Sequence, residues 1–192
     1  MDARSLASRS IPVIPSSDRT GTAAFRATMA LLATGVTVVS ARDPASGRPH
    51  GMTANAVMSV SLTPPLIVVG VRRTARLHAA VLQAGAYAVT VLTETQWPLA
   101  RRFAGHDQSA EPQFAERSGV PVLRHGLAWI VARLHDAHPA GDHTLFIGEA
   151  MDFASDRPAD PPLAFHRSAF AGLAPLRPEG TIPRAWGLDL WG

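Results

Sequence analysis

The sequence predicts a mainly β protein with short helices, a closed antiparallel barrel whose helices plug its ends and edges. Three observations predict it. Short apolar and β-branched runs recur along the chain, bounded by Gly, Pro and Asp turn signals. The helical stretches between them are few and short. No repeated alternation of strand and helix occurs, which sets aside a doubly wound parallel sheet.

Taken in order, residues 1–19 mix Ser, Arg and Pro without periodicity and read as a flexible tail. From Thr20 the pattern is helical, with Phe25, Met29 and Leu32 on one face and Gly35 as the stop. Val36 to Ala41 reads as a strand and RDPASGRP as the turn after it. His50 to Ser61 is the next strand, and Leu66 to Val71 is apolar enough for a central one. Thr74 to Gly85 reads as a helix closed by Gly85, and AYAVTVL as a strand. TETQWPLARRFAG is a helix with Thr93 or Thr95 as N-cap and Pro98 in its first turn. Val120 to Leu123, Leu127 to Leu134, His143 to Phe153 and Leu163 to Phe165 complete the strands. One domain is expected over residues 20–175, with 176–192 a second tail rich in Pro and Gly.

Composition narrows the function. A chain of 192 residues, 46% hydrophobic and 17% charged, can bury a sizeable core. It has no cysteine, hence no disulfide framework, thiolate metal site or thiol nucleophile. All 18 basic residues are arginines, so an anion site must use Arg, hydroxyls or backbone amides. They are scattered, with no basic stripe interleaved with aromatics, so nucleic acid is not an expected partner. Apolar runs stop short of the about 20 residues a membrane span needs, and no apolar core follows the N-terminal arginines. A soluble cytoplasmic protein is the expectation.

Three stretches could carry chemistry. In GMTANAVMSVSL, Thr53, Asn55, Ser59 and Ser61 would share one face of a strand, with Ala54, Ala56 and Met58 on the other. Small polar groups beside accessible backbone amides can hold a phosphate and hydrogen-bond a planar heterocycle; the alternative is the polar outer face of an edge strand. In LHDAHPAGDHTLFIGE, His135, His138 and His143 lack the spacing of a metal box, and no metal is expected. Gly141-Asp142-His143 instead suggests a turn fixed by Asp with His projecting into a cleft, the alternative being a surface histidine. PLAFHRSAF places aromatic, imidazole and guanidinium groups together, which suits ring stacking and phosphate pairing, or else a core strand followed by a solvated arginine. There is no G-x-S-x-G elbow, no Rossmann or P-loop fingerprint and no suggestive carboxylate pair. A ring-and-phosphate site without a nucleophile fits chemistry done by a cofactor.

FRATMALLATGVTVVSA, GMTANAVMSVSLTPPLIVVGV, AYAVTVL, RFAG, GDHTLFIGE and PLAFHRSAF together resemble the flavin reductase family, the reductases of two-component flavin monooxygenases, in order from Phe25 to Leu173. The resemblance implies a split barrel of the FMN-binding type, a homodimer, FMN or FAD as flavin, NADH or NADPH as hydride donor, and a separate monooxygenase that receives the reduced flavin. It implies that Thr53, Ala54, Asn55, Ala56, Val57, Met58, Ser59, Ser61 and Leu62 line the flavin, with Thr74 and Arg76 near its phosphate and Phe103 beside it. His143, as the catalytic position, and Phe165, His166, Arg167 and Ser168 would face the nicotinamide nucleotide. The chain departs from the family's pattern at Ala56, Ala75 and Leu77, where hydroxyl residues are common, and at Ser168 and Phe170, where Gly and Tyr are frequent. Two rivals predict different behaviour: a non-catalytic flavin- or haem-binding carrier or sensor on the same barrel, and a metal-dependent hydrolase built on the three histidines.

Overall fold

The computed structural model describes residues 21–106 and 108–173, so both expected tails lie outside the described residues. Helix α1 (Thr22–Met29) ends at Ala30, whose N–H donates to the carbonyl of Arg26. Gly35 is not its cap. The chain leaves the helix through tight turns, Leu31 to Thr28 and Leu32 to Met29, and Gly35 falls in the short strand β1 (Thr34–Gly35).

Seven antiparallel strands form the main sheet in the order β3-β2-β6-β9-β10-β5-β4. These are β2 (Thr37–Arg42), β3 (Pro49–Ala54), β4 (Val57–Leu62), β5 (Pro65–Arg72), β6 (Ala86–Val91), β9 (Ala128–Ala140) and β10 (His143–Ser155). The expected strand from His50 to Ser61 is two strands, β3 and β4, at opposite ends of the ladder and joined by Asn55 and Ala56 alone. β9 runs six residues past its expected end at Leu134, because the HDAHPA stretch pairs with β10 instead of turning. A hairpin, β7 (Phe114–Arg117) and β8 (Val120–Leu123), covers one outer face over Trp129 and Val131. β11 (Ala164–His166) and β12 (Ala169–Ala171) form a small sheet with β1.

The sheet bends on itself. One buried cluster joins Ala54 of β3 to Ile67, Val69 and Val71 of β5, nearly the whole ladder apart, with Tyr87, Val89 and Phe146 between them. Helix α2 (Arg76–Ala84) seals this interior with Leu77, Ala80 and Val81, and Gly85 ends it at φ 64°, a left-handed conformation that glycine adopts without steric cost. The interior tolerates no added bulk at β10: a Cβ at Gly148 would stand 2.5 Å from the Tyr87 hydroxyl and 2.8 Å from the Ala132 Cβ. Burial pushes the Tyr87 phenol above its ordinary range, and its O–H donates to the Phe146 carbonyl at 3.4 Å. Among the described residues no hydrogen-bonded pairing joins β3 to β4, so the ladder is open where a closed barrel was expected. Among them, too, no helix is long and apolar enough to cross a membrane.

A second cluster, Val36, Val38, Leu92, Ala100, Leu123 and Leu163, packs on the outside of the sheet. It seats helix α3 (Trp97–Phe103) against β11 and β12. A 3₁₀ turn (Glu94–Gln96) precedes α3 and is capped by Thr93, not Thr95: the Gln96 side chain accepts the Thr93 N–H at 3.1 Å while the Thr93 side chain accepts the Gln96 backbone. Pro98 lies in the first turn of α3, as expected.

Candidate active site

The break between β3 and β4 is the centre of the site. Asn55 and Ala56 belong to no strand, both are exposed, and neither backbone N–H has a partner among the described residues. The chain is anchored on both sides of the break. Thr37 Oγ1 donates to the Ala54 carbonyl at 2.7 Å, Thr53 Oγ1 donates to the Ala100 carbonyl at 2.6 Å, and Gly70 N–H donates to the Ala56 carbonyl at 3.0 Å. Two amide donors and the Asn55 side chain are therefore presented at a rigid edge.

A cleft of 520 Å³ opens beside them, within the range of a small-molecule site. Its apolar wall is Val36, Ala104, Phe165, Ala169 and Phe170; its polar groups are Thr53, Asn55, Arg101, His106 and Ser168. Phe165 and Phe170 meet edge to face at 5.8 Å. A second cleft of 540 Å³ is lined by His50, Arg76, Arg102 and Phe103, the last standing over Gly51 and edge-on to Phe114 at 6.2 Å. The mixture fits a flat aromatic ligand that carries hydrogen-bonding edges and a phosphate.

The expected site residues thus fall into groups. Thr53 and Asn55 share the first cleft with Phe165 and Ser168, and Arg76 and Phe103 share the second. The remaining expected residues line neither. Ala54 is buried in the core, and Ala56 lies in the break. Val57, Met58, Ser59, Ser61 and Leu62 run along β4, where Val57, Ser59 and Ser61 alternate with exposed Met58 and Leu62 although the pairing with β5 shifts register between Ser59 and Ser61. The single polar face expected from Thr53 to Ser61 is therefore interrupted at the break, while Ser59 and Ser61 still share one side of β4. Thr74 is exposed in the turn between β5 and α2, and His166 and Arg167 form the rim at the β11–β12 turn.

His143 opens β10, half exposed, opposite Arg72 of β5. Gly141, at φ 61°, makes the turn before it, and Arg73 N–H donates to the Asp142 carbonyl at 3.0 Å. His143 Nδ1 lies 2.7 Å from the Asp142 carboxylate, and that hydrogen bond, aided by Arg72, holds the carboxyl below its usual range. The pairings Ala56–Gly70 and Gly70–Leu145 bring the break, the end of β5 and the start of β10 to one end of the sheet. His138 lies on β9 and pairs with Asp136 at 3.0 Å. Among the described residues no three His, Asp or Glu side chains gather as a metal site.

Arg101, His106 and His50 were not foreseen, since no motif marks them and only the fold brings α3 and β3 to the clefts. Burial lowers the pKa of His50, with Asp43 opposing the shift and Arg76 adding to it.

Residues 29–174 match the flavin reductase like domain. The chain is 40% identical over 168 residues to the NADH:riboflavin 5'-phosphate oxidoreductase of Streptomyces pristinaespiralis, covering 85% of this chain and 95% of that one. Among solved structures it resembles the flavin reductase PheA2 in its native state, with TM-score 0.76 and 39% identity over 81% of this chain and 99% of that one. It also resembles BorF, the flavin reductase component of a bacterial two-component tryptophan halogenase, with TM-score 0.72 and 34% identity over 81% and 100% of the two chains. A family match over residues 29–174, together with solved relatives that share the fold over most of the chain, places this chain in the flavin-reductase-like family.

Proposed function

We propose that this chain is an NADH-dependent flavin reductase that supplies reduced FMN or FAD to a separate oxygenase. One observation carries the site assignment: the free amides of Asn55 and Ala56 border a cleft walled by Phe165 and Phe170. The similar proteins are named as NADH-dependent reductases of FMN or FAD, which supports both the donor and the flavin class. One is the flavin reductase component of a two-component tryptophan halogenase and another is a styrene monooxygenase flavin reductase, which supports the oxygenase partner.

When bound, the flavin supplies the redox chemistry, taking a hydride from the nicotinamide and passing its electrons on. The chain's own work is alignment. Asn55 and the amides of the break hold the polar edge of the ring, with Ser59 and Ser61 beyond them. Thr74 and Arg76 take the phosphate end, and Phe103 packs beside the ring. His143, held by Asp142, orients the nicotinamide or its ribose, and Phe165 to Ser168 form the opposing wall. Fixing two partners in one geometry removes much of the entropic barrier. No proton need be moved by a side chain, in keeping with the lack of a nucleophile or carboxylate pair.

The finer architecture belongs to the same reading. The curled seven-stranded sheet acts as a split barrel, and two copies form a homodimer in the cytoplasm. The dimer is supported by apolar side chains that a monomer leaves in water: Phe25 on α1 is 67% exposed, and Met58 and Leu62 on β4 are 62% and 64% exposed.

The experiment is NADH oxidation by protein stripped of ligand, with FMN, FAD or riboflavin added in turn. Turnover that saturates with flavin supports the reading. Flavin binding without NADH oxidation would leave only a carrier. His143→Ala is expected to raise the KM for NADH several-fold and to change flavin affinity less; the opposite pattern removes His143 from the nicotinamide.

A further inference from the structure

We infer that Arg101 and Ser168 form an anion-binding pole in the 520 Å³ cleft, one that takes a phosphate group of a ring-bearing substrate. The pole is separate from the cleft that Arg76 lines, and its substrates are those of the reductase reading, on which it rests.

Five of the described arginines are held by a carboxylate. Arg42 pairs with Glu116, Arg72 with Asp142, Arg133 with Glu149 and Arg157 with Asp160. The neighbour in sequence, Arg102, donates to the Gln108 carbonyl at 2.8 Å and pairs with Glu111 at 3.5 Å. Arg101 does neither: among the described residues its guanidinium has no hydrogen bond or ion pair, yet it lines the cleft beside Phe165 and Phe170. Among the described residues no Asp or Glu lines that cleft. A cation at the C-terminal end of α3 also suits the helix dipole, but Arg102 meets that need as well and lines the other cleft.

Ser168 supplies the second observation. β11 and β12 are joined by a two-residue turn in which Arg167 and Ser168 have φ 52° and 59°. Such turns favour Asn-Gly, because a side chain at positive φ is strained and glycine is not. The turn is pinned by Arg167 N–H, which donates to the Ala30 carbonyl at 2.6 Å. Ser168 therefore sits where glycine would be easier, its hydroxyl has no partner among the described residues, and it lines the cleft that Arg101 lines. Strain kept at a cleft wall points to a use for the side chain. A guanidinium and a hydroxyl on one apolar cleft match a phosphate, the guanidinium by a charge-assisted fork. Both NADH and FMN carry such a group; riboflavin does not.

Steady-state kinetics on the full chain test the pole, with NADH, FMN and riboflavin as substrates at low and high salt. The variants are Arg101→Gln, Arg101→Lys, Ser168→Ala and Ser168→Gly, with Arg48→Gln as a surface-charge control. Arg101→Gln is expected to raise one KM about tenfold with kcat nearly unchanged, the scale of one charge-assisted hydrogen bond. It also removes most of that KM's salt dependence, and Arg101→Lys restores part of the loss. If the KM for NADH moves, the phosphate is the nucleotide's; if the KM for FMN rises to that for riboflavin, it is the flavin's, and Thr74 and Arg76 lose the flavin phosphate. Both Ser168 variants raise the same KM, and Ser168→Gly alone melts higher than the parent. Unchanged KM values for NADH and FMN in Arg101→Gln overturn the pole, as does a riboflavin KM that rises as much as that of FMN. Parent protein that turns over normally while the variants match it rejects the pole alone. Parent protein without turnover rejects the reductase reading, and fluorescence titration of FMN against riboflavin then decides the pole by the same comparison.

Discussion

The ring of Phe103 fills the space a side chain at Gly51 would need: a Cβ there would stand 2.7 Å from Phe103 Cε1. Gly51→Ala is expected to push the ring into the second cleft, lowering stability by about 1–3 kcal/mol as overpacking does. Thermal melts read the stability and flavin titration reads the cleft; a variant that melts and binds like the parent would show that the ring moves freely. His50 lines the same cleft, half buried, with Asp43 and Arg76 the charges that act on it. Burial favours its neutral form in the folded state, so its folded pKa lies below 6.5. Its share of stability is complete above that value and is lost as pH falls below it. The acid limb of stability against pH should therefore be shallower in His50→Gln; an unchanged limb would free His50 of that role. Such residues were not legible in the sequence. TAN and GDH stand out as motifs, whereas His50, Arg101 and His106 reach the clefts only because α3 packs back on β3 and β11.

Elements show where pattern reading holds and where it fails. The Thr93 cap was legible because a capping box is local, a Thr with a Gln three residues on. Thr93→Ala should cost about 1 kcal/mol and lower Tm by about 2–4 °C for a chain of this size. A melt unchanged within error would mean that the packing of α3 on Val36 and Leu163 holds this end without the cap. The β3–β4 break was not legible, since Thr53 to Ser61 continues in small, strand-compatible residues across it. What ends β3 is tertiary: β2 pairs with it only as far as Ala54, and Val57 is already on β5. The long β9–β10 ribbon was underestimated for the converse reason. HDAHPA is polar and contains a proline, yet both strands extend to the tight Gly141 turn, where Pro139 sits close to the ribbon's end.

The whole molecule leaves its clearest sequence signal unburied. By their spacing Phe25, Met29 and Leu32 fall on one face of a helix, yet all three are exposed, as are Met58 and Leu62. Apolar residues left in water are those a second copy would cover. Sedimentation is expected to give a dimer, and Met58→Asp with Leu62→Asp a folded monomer. A monomeric parent protein would remove the dimer from the account without touching the fold. The antiparallel strands, the three helices and the family were readable because each has a local signature; closure of the sheet and assembly were not, because no short stretch encodes them. The central claim is hydride transfer from NADH to flavin in this chain's cleft, and rapid anaerobic mixing of the flavin-loaded protein with NADH tests it most directly. The flavin is expected to be bleached far faster than free flavin at the same concentrations, with a rate that saturates in NADH. Bleaching no faster than in free solution would contradict it.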